Sequence, residues 1–178
     1  VVDAFLDSLP EMFAKAPVVS QSCLGPALKA AFTVMTQIGG KMCVFQSIMP
    51  NLGDGALKPR EQPGILGTPN EVNFLRPACT WYKDTAVEFS RQQISVDMFL
   101  FPYQYMDLAA LRELPKYTAG TLHSYVSFDQ QRDGQRFEEQ LNKTLTQPTI
   151  FEAVMRIRCT KGMRITNFFG NFYIRGTD

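Results

Sequence analysis

The chain has 178 residues, 45% hydrophobic and 20% charged, with 18 Lys and Arg against 17 Asp and Glu for a net charge of +1. At roughly 100–150 residues per domain this is one full domain, or one and a piece of a second, and the composition excludes a disordered, collagen-like or coiled-coil chain. So small a net charge argues against a surface built throughout for nucleic acid or anionic membrane, while leaving room for a local patch.

The chain opens Val1-Val2-Asp3-Ala4-Phe5-Leu6, with no initiator Met and no basic leader, so a preceding segment is expected. From Ser20 to Ile38, Leu24, Leu28, Ala31, Phe32, Met35 and Ile38 recur at spacings of three and four, which predicts one helix face. Ser20 or Ser22 can cap it, and Gly39-Gly40 can supply the left-handed conformation that ends it. Lys41 to Met49 follows with an unbroken apolar run, the pattern of a strand covered on both faces.

Pro50 to Pro77 carries five prolines and four glycines, so no core is expected there. A loop of that length is either a mobile surface insertion or an ordered partner-binding excursion. Thr80 to Gln93 then predicts a helix and Ile94 to Phe101 a second apolar strand. No apolar run approaches the ~20 residues that span a bilayer; the densest, Met98-Phe99-Leu100-Phe101, is cut by Pro102.

Asp107 caps a short helix carrying Leu108, Leu111 and Leu114 and stopped by Pro115, and Thr121 to Phe128 is a strand. Asp133 to Thr146 is a polar helix with Phe137, Leu141 and Leu145 as its buried stripe. Alternation of this kind predicts an α/β fold with a parallel sheet and flanking helices. After Pro148 the grammar changes. Ile150 to Arg158 alternates, Thr160-Lys161-Gly162 is a turn, and Met163 to Ile174 supplies further strand. The expected division is therefore residues 1–148 as α/β, with 50–77 a long surface loop, and 149–178 as the start of an antiparallel β unit.

Catalytic chemistry has little to draw on. His123 is the only histidine and sits in a strand pattern, where a structural role is the ordinary one. The H-E-x-x-H, G-x-S-x-G, G-x-x-x-x-G-K-[ST] and G-x-G-x-x-G patterns are missing. Cys23, Cys43, Cys79 and Cys159 are widely spaced with no C-x-x-C, so they read as core thiols of a cytosolic protein, not as a zinc site or a disulfide framework. One local feature stands out: Ala153 to Gly176 contains no Asp or Glu but has Arg156, Arg158, Lys161, Arg164 and Arg175. On a strand, Arg156 and Arg158 share one face about 7 Å apart, at ~3.3 Å per residue. Two guanidinium forks so placed can hold two carboxylates on an extended peptide. A charged edge strand that discourages aggregation explains the same residues.

The run Phe151-Glu152-Ala153-Val154-Met155-Arg156-Ile157-Arg158-Cys159-Thr160-Lys161-Gly162 resembles the cargo-binding subunits of the COPII inner coat, the Sec-twenty-four type. Three further blocks resemble that family in the same order: Leu24 to Phe32, Gly53 to Glu61, and Val96 to Leu100 with Asp107-Leu108-Ala109. Phe169-Gly170-Asn171-Phe172 and Arg175 continue it.

The resemblance implies the C-terminal half of a trunk domain of von Willebrand factor A type, running into the first strands of a β-sandwich. It implies a non-enzymatic adaptor, cytoplasmic and peripheral on endoplasmic reticulum exit sites and COPII vesicles, that pairs with the coat's GTPase-activating subunit. Such an adaptor selects cargo and membrane-fusion proteins for transport to the Golgi, with no nucleic-acid role. The resemblance further implies that Arg156 and Arg158 form part of a pocket for acidic export signals, with Lys161 and Arg164 as possible support. No cofactor is expected in this stretch, the family's four-cysteine zinc finger lying outside it. The alternative is a von Willebrand-type scaffold without direct cargo contact.

Overall fold

A computed structural model describes residues 2–14, 16–17, 19–60 and 62–176. Val1, Glu61, Thr177 and Asp178, which belong to segments quoted above, lie outside the described residues. Three parallel strands form the frame: β1 (Gly40–Gln46), β2 (Ile94–Leu100) and β3 (Leu122–Ser124), in the order β1-β2-β3. Gly40 lies opposite Ile94 and Gln46 opposite Leu100, while Met98 and Leu100 face Leu122 and Ser124. The expected parallel α/β frame is present.

β2 is buried along both faces, which is why its sequence does not alternate in polarity. Ile94, Val96, Met98 and Leu100 point into the main core, under α2 (Leu24–Met35), α3 (Trp81–Arg91) and α5 (Glu113–Tyr117). Phe32 of α2 stacks on Phe89 of α3 at 4.9 Å between centroids. The opposite face carries Asp97 and Phe99 and is covered by α6 (Gln130–Thr146), whose Phe137 meets Phe99 edge-on at 5.8 Å. β1 departs from the expectation of two covered faces. It has one strand neighbour among the described residues, and Phe45 is 52% exposed.

Gly39, at φ +64°, ends α2 as expected, its N–H donating to Met35 O at 2.8 Å. The start of α2 differs: Cys23 occupies the cap position without a side-chain bond. The Ser22 hydroxyl instead accepts from Gln46 Nε2 at 2.7 Å, tying the helix to the end of β1. Asp107 does cap α4 (Leu108–Leu111), accepting from Ala110 N at 3.2 Å. Pro115, however, does not stop the helix. The chain re-forms as α5, where Pro115 lies in the first turn and its missing N–H would have had no intrahelical partner.

In α6 the buried side is Asp133, Gly134 and Thr144, flanked by half-buried Phe137 and Leu141. Leu145 is 66% exposed, so the expected stripe is rotated by about one residue at its end. The cap is Asp129, which accepts from Gln131 N and Arg132 N, and the helix starts three residues earlier than its pattern suggested. A helix without an expected counterpart, α1 (Val2–Ala14), has no buried residue. The thiols are not uniformly core: Cys43 and Cys79 are half-buried, Cys23 and Cys159 exposed.

The 50–77 stretch is partly built into the domain. Leu57 is buried in the main core, and the Tyr82 hydroxyl donates to Gly55 O at 2.7 Å. Two short 3-10 turns follow, Pro63–Ile65 and Pro69–Leu75.

Residues 149–176 contain no strand. A strand is stable only with a partner ladder and a face to bury, and neither is within reach of this segment among the described residues. Val154, Met155 and Phe169 are 77%, 84% and 88% exposed.

Candidate functional site

The basic segment is held at two points, both near the amino ends of the strands. Gln93, immediately before β2, donates through its side-chain amide to the Glu152 carboxylate. Asn171 Nδ2 donates to Gly120 O, two residues before β3, at 2.7 Å. Gly120 is glycine for a steric reason: a Cβ there would sit 1.9 Å from Val96 O. Between the anchors the chain runs outward and reverses at the expected turn. Met163 N donates to Thr160 O at 3.1 Å, and Gly162 takes the left-handed conformation at φ +94°.

Arg156 and Arg158 lie on the outgoing limb, Lys161 at the turn and Arg164 on the returning limb. All four are exposed. The ion pairs among the described residues are Lys29–Asp54, Lys41–Asp97, Arg60–Asp107, Lys116–Glu113 and Arg132–Asp133, so none of the four is neutralised. With no acid between Glu152 and the end of the described chain, the limb is a field of unpaired donors suited to carboxylates. Its period-two spacing lies on a stretch with no strand ladder.

Elsewhere the ionisable groups serve the fold. Asp97 on β2 accepts from Thr121 N and Thr121 Oγ1, both at 2.7 Å, and lies 3.6 Å from Lys41 Nζ of β1. It thereby ties all three strands at their amino half. Lys41 also donates to Thr144 O at the end of α6, at 3.1 Å. His123 is half-buried and stacks on Phe99 at 5.0 Å, and burial holds its imidazole below the usual histidine value. Burial likewise pushes the Cys43 thiol up, away from the thiolate that nucleophilic chemistry needs. Among the described residues no three His, Cys, Asp or Glu side chains are grouped to hold a metal ion.

A second constellation was not foreseen. Arg60 reaches from the long loop to Asp107, Nη2 to Oδ1 at 2.8 Å, and donates to Arg76 O at 3.0 Å and Phe74 O at 3.3 Å. One guanidinium thus folds the loop onto the cap of α4. Burial alone would lower its pKa, but the Asp107 bond outweighs this and holds Arg60 more firmly charged. The sequence signal was present only in part: Asp107 was legible as a cap, but nothing local links it to a residue 47 positions earlier.

Comparison with known proteins places this geometry in context. The model of the family described as "Sec23/Sec24 trunk domain" matches residues 1–145. Over 181 residues the chain is 47% identical to "Protein transport protein Sec24A" of Bos taurus and 45% identical to that of Homo sapiens, covering 100% of this chain and 16% of each relative. Over 179 residues it is 44% identical to "Protein transport protein SEC24 A" of Arabidopsis thaliana, covering 17% of that relative. The chain therefore spans about a sixth of the length of these curated relatives. Among solved structures, "Crystal structure of the human COPII-coat protein Sec24c" superposes with a TM-score of 0.91 at 33% identity, covering 99% of this chain and 24% of that one.

Proposed function

This chain belongs to the Sec23/Sec24 trunk domain family, and we propose that it works within a non-enzymatic COPII coat adaptor that binds acidic export signals of cargo and membrane-fusion proteins. In this reading residues 1–148 are the C-terminal half of a von Willebrand factor A-like trunk, and 149–178 are the first strands of a β-sandwich completed by other parts of a longer protein. The superposition on a COPII-coat protein, which extends over 99% of the chain and so takes in the extended C-terminal segment, supports that division. The adaptor pairs with the coat's GTPase-activating subunit and works in the cytoplasm, peripherally on endoplasmic reticulum exit sites and COPII vesicles. No helix among the described residues is long and apolar enough to cross a membrane.

The observation that carries the cargo reading is the unneutralised pair Arg156 and Arg158, exposed on a limb without acids. An extended peptide with carboxylates two residues apart matches their period, with Lys161 and Arg164 adding positive field. Two exposed arginine–carboxylate pairs contribute ~0.2–1 kcal/mol each, a factor of roughly 2–30 together. The test is a titration of a labelled Asp-x-Glu peptide into the full-length protein at low and high salt, beside the Arg156→Ala/Arg158→Ala variant. The expected outcome is salt-sensitive binding, weakened by that factor in the variant. Unchanged affinity, with the partner subunit still co-purifying, would leave a scaffold without direct cargo contact.

A further inference from the structure

The acid-free stretch from Ala153 to Gly176 carries two aliphatic hydroxyls, those of Thr160 and Thr166. Thr160 is at the centre of the charge. Arg156 and Arg158 lie four and two residues before it, Lys161 and Arg164 one and four after it, and no Asp or Glu falls nearer than Glu152. Thr166 has only Arg164 within four residues. Protein kinases select substrates by the charge pattern around the acceptor hydroxyl, and a basic flank without acids is the pattern that an acidic kinase cleft reads.

The fold leaves that hydroxyl available. Thr160 is exposed and opens the turn that Met163 N closes on its carbonyl, at 3.1 Å. Its Oγ1 donates to the Met163 thioether at 3.5 Å, a weak acceptor, and to no oxygen or nitrogen among the described residues. Neither bond ties the tip to the domain, whose anchors are at Glu152 and Asn171. Chain at a turn tip opens locally at little cost, whether or not the limbs pair in the longer protein.

We propose that Thr160 is the target of a basophilic serine/threonine kinase and that its phosphate closes the acidic-signal site, an inference that rests on the reading of Arg156 and Arg158 given above. The threonine oxygen attacks the γ-phosphorus of ATP. The Oγ1–P bond forms as the bond from that phosphorus to the β,γ-bridging oxygen breaks, ADP leaves, and the hydroxyl proton passes to the kinase's catalytic carboxylate. The product brings a charge of about −1.5 to −2 and three acceptor oxygens into the basic field, where an arginine cluster can make one to three charge-assisted hydrogen bonds to it. Along the chain, Thr160 Cα is at most about 7 Å from that of Arg158 and about 14 Å from that of Arg156. On a strand, all three residues share one face. The phosphate is therefore tethered beside the guanidiniums that an export signal needs, at an effective concentration on the order of millimolar, and competes from within the same chain.

The test has two arms, both on the full-length protein. In the first, ATP and a basophilic kinase of the protein kinase C class are added and the phosphate is mapped by mass spectrometry. It should fall on Thr160 and not Thr166, and labelling of the Arg156→Ala/Arg158→Ala variant should be at least about tenfold slower, the scale of losing one charge-assisted hydrogen bond. In the second, protein made with phosphothreonine at position 160 by codon expansion is titrated with the labelled Asp-x-Glu peptide. Binding at low salt should weaken by the roughly 2–30-fold that the two arginines contribute. In protein that also lacks the arginines the two losses should not add, since they remove the same interaction. Thr160→Val, at an exposed position, should melt within about 1 °C of the parent and keep its affinity. Labelling that spares Thr160 or ignores the arginines, or a phosphothreonine protein that binds the peptide as the parent does, would overturn the proposal. A parent that does not bind the peptide, or binds it equally well without the arginines, sinks the acidic-signal reading and this inference with it. A parent that binds through the arginines, undisturbed by the phosphate, leaves that reading standing and overturns this inference alone.

Discussion

At the scale of single residues, ionisable groups inside this chain are held either charged beside a counter-charge or neutral by burial. Asp97 shows how a charge is kept in an interior with only half its bonds: two donors from Thr121 satisfy Oδ1, while buried Oδ2 has no hydrogen-bond donor and is balanced only by the Lys41 charge 3.6 Å away. His123, one strand away, is kept neutral instead. Burial lowers its pKa first, Asp97 opposes that, and Arg136 and Lys143 reinforce it. The unfolded chain therefore takes up a proton at a pH where the folded chain does not. Stability from the neutral ring is complete above the unfolded value of ~6.5 and is lost as pH falls below it. His123→Gln should remove this part of the acid sensitivity. Melting temperatures measured from pH 7.5 down to 5.0 should converge for the two proteins as pH falls, and parallel curves would show that the imidazole titrates freely.

Between elements, the connection from α5 to β3 is a tight joint. Gly120 N donates to Pro115 O at 2.9 Å, its carbonyl accepts from Asn171, and its Cα faces the Val96 carbonyl with no room for a methyl group. In Gly120→Ala the obstruction is backbone on the central strand, which cannot step aside. The loss should reach about 3 kcal/mol, the upper end of ordinary overpacking, or a melting temperature lower by about 6–12 °C. A fall of less than 2 °C would show that the joint is loose.

The helices and strands around that joint were legible because each carries its burial in local periodicity: β2 as an unbroken apolar run, α2 and α3 as stripes. What was not legible depended on distant partners. The Leu145 position failed because α6 is turned by the aromatic cluster beneath Phe137, where Phe101, Tyr125 and Phe128 meet it at 5.4–6.2 Å. The Arg60–Asp107 bond joins two segments that have no common pattern, and Leu57 enters the core from a stretch whose prolines and glycines gave no apolar rhythm. Of the candidate site, the charges could be read directly but their support could not. A strand pattern shows which face each side chain takes only if a ladder exists to hold it.

For the molecule as a whole, the question is what the exposed apolar surface means. Ile150, Val154, Met155 and Phe169 lie open on the C-terminal segment, Phe45 at the free edge of the sheet, and α1 buries nothing. Such surface is unusual on a finished monomer, and it coincides with a chain that spans about a sixth of its relatives. The alternating pattern from Ile150 to Arg158 fits a strand that pairs only in the larger protein. Its backbone in this structure has almost no internal bonds, the Met163 to Thr160 contact being the one recorded among residues 153–176. Hydrogen exchange on the full-length protein separates the possibilities. If the segment is a β-sandwich strand pair, amides of 154–158 and 163–169 should exchange on the slow scale of Val96 and Met98, because a ladder protects backbone that side-chain burial alone does not. Exchange at the rate of an open loop would sink the sandwich assignment. Arg156 and Arg158 would then sit on a flexible arm, and the ordering of that arm would have to be supplied by the acidic peptide itself.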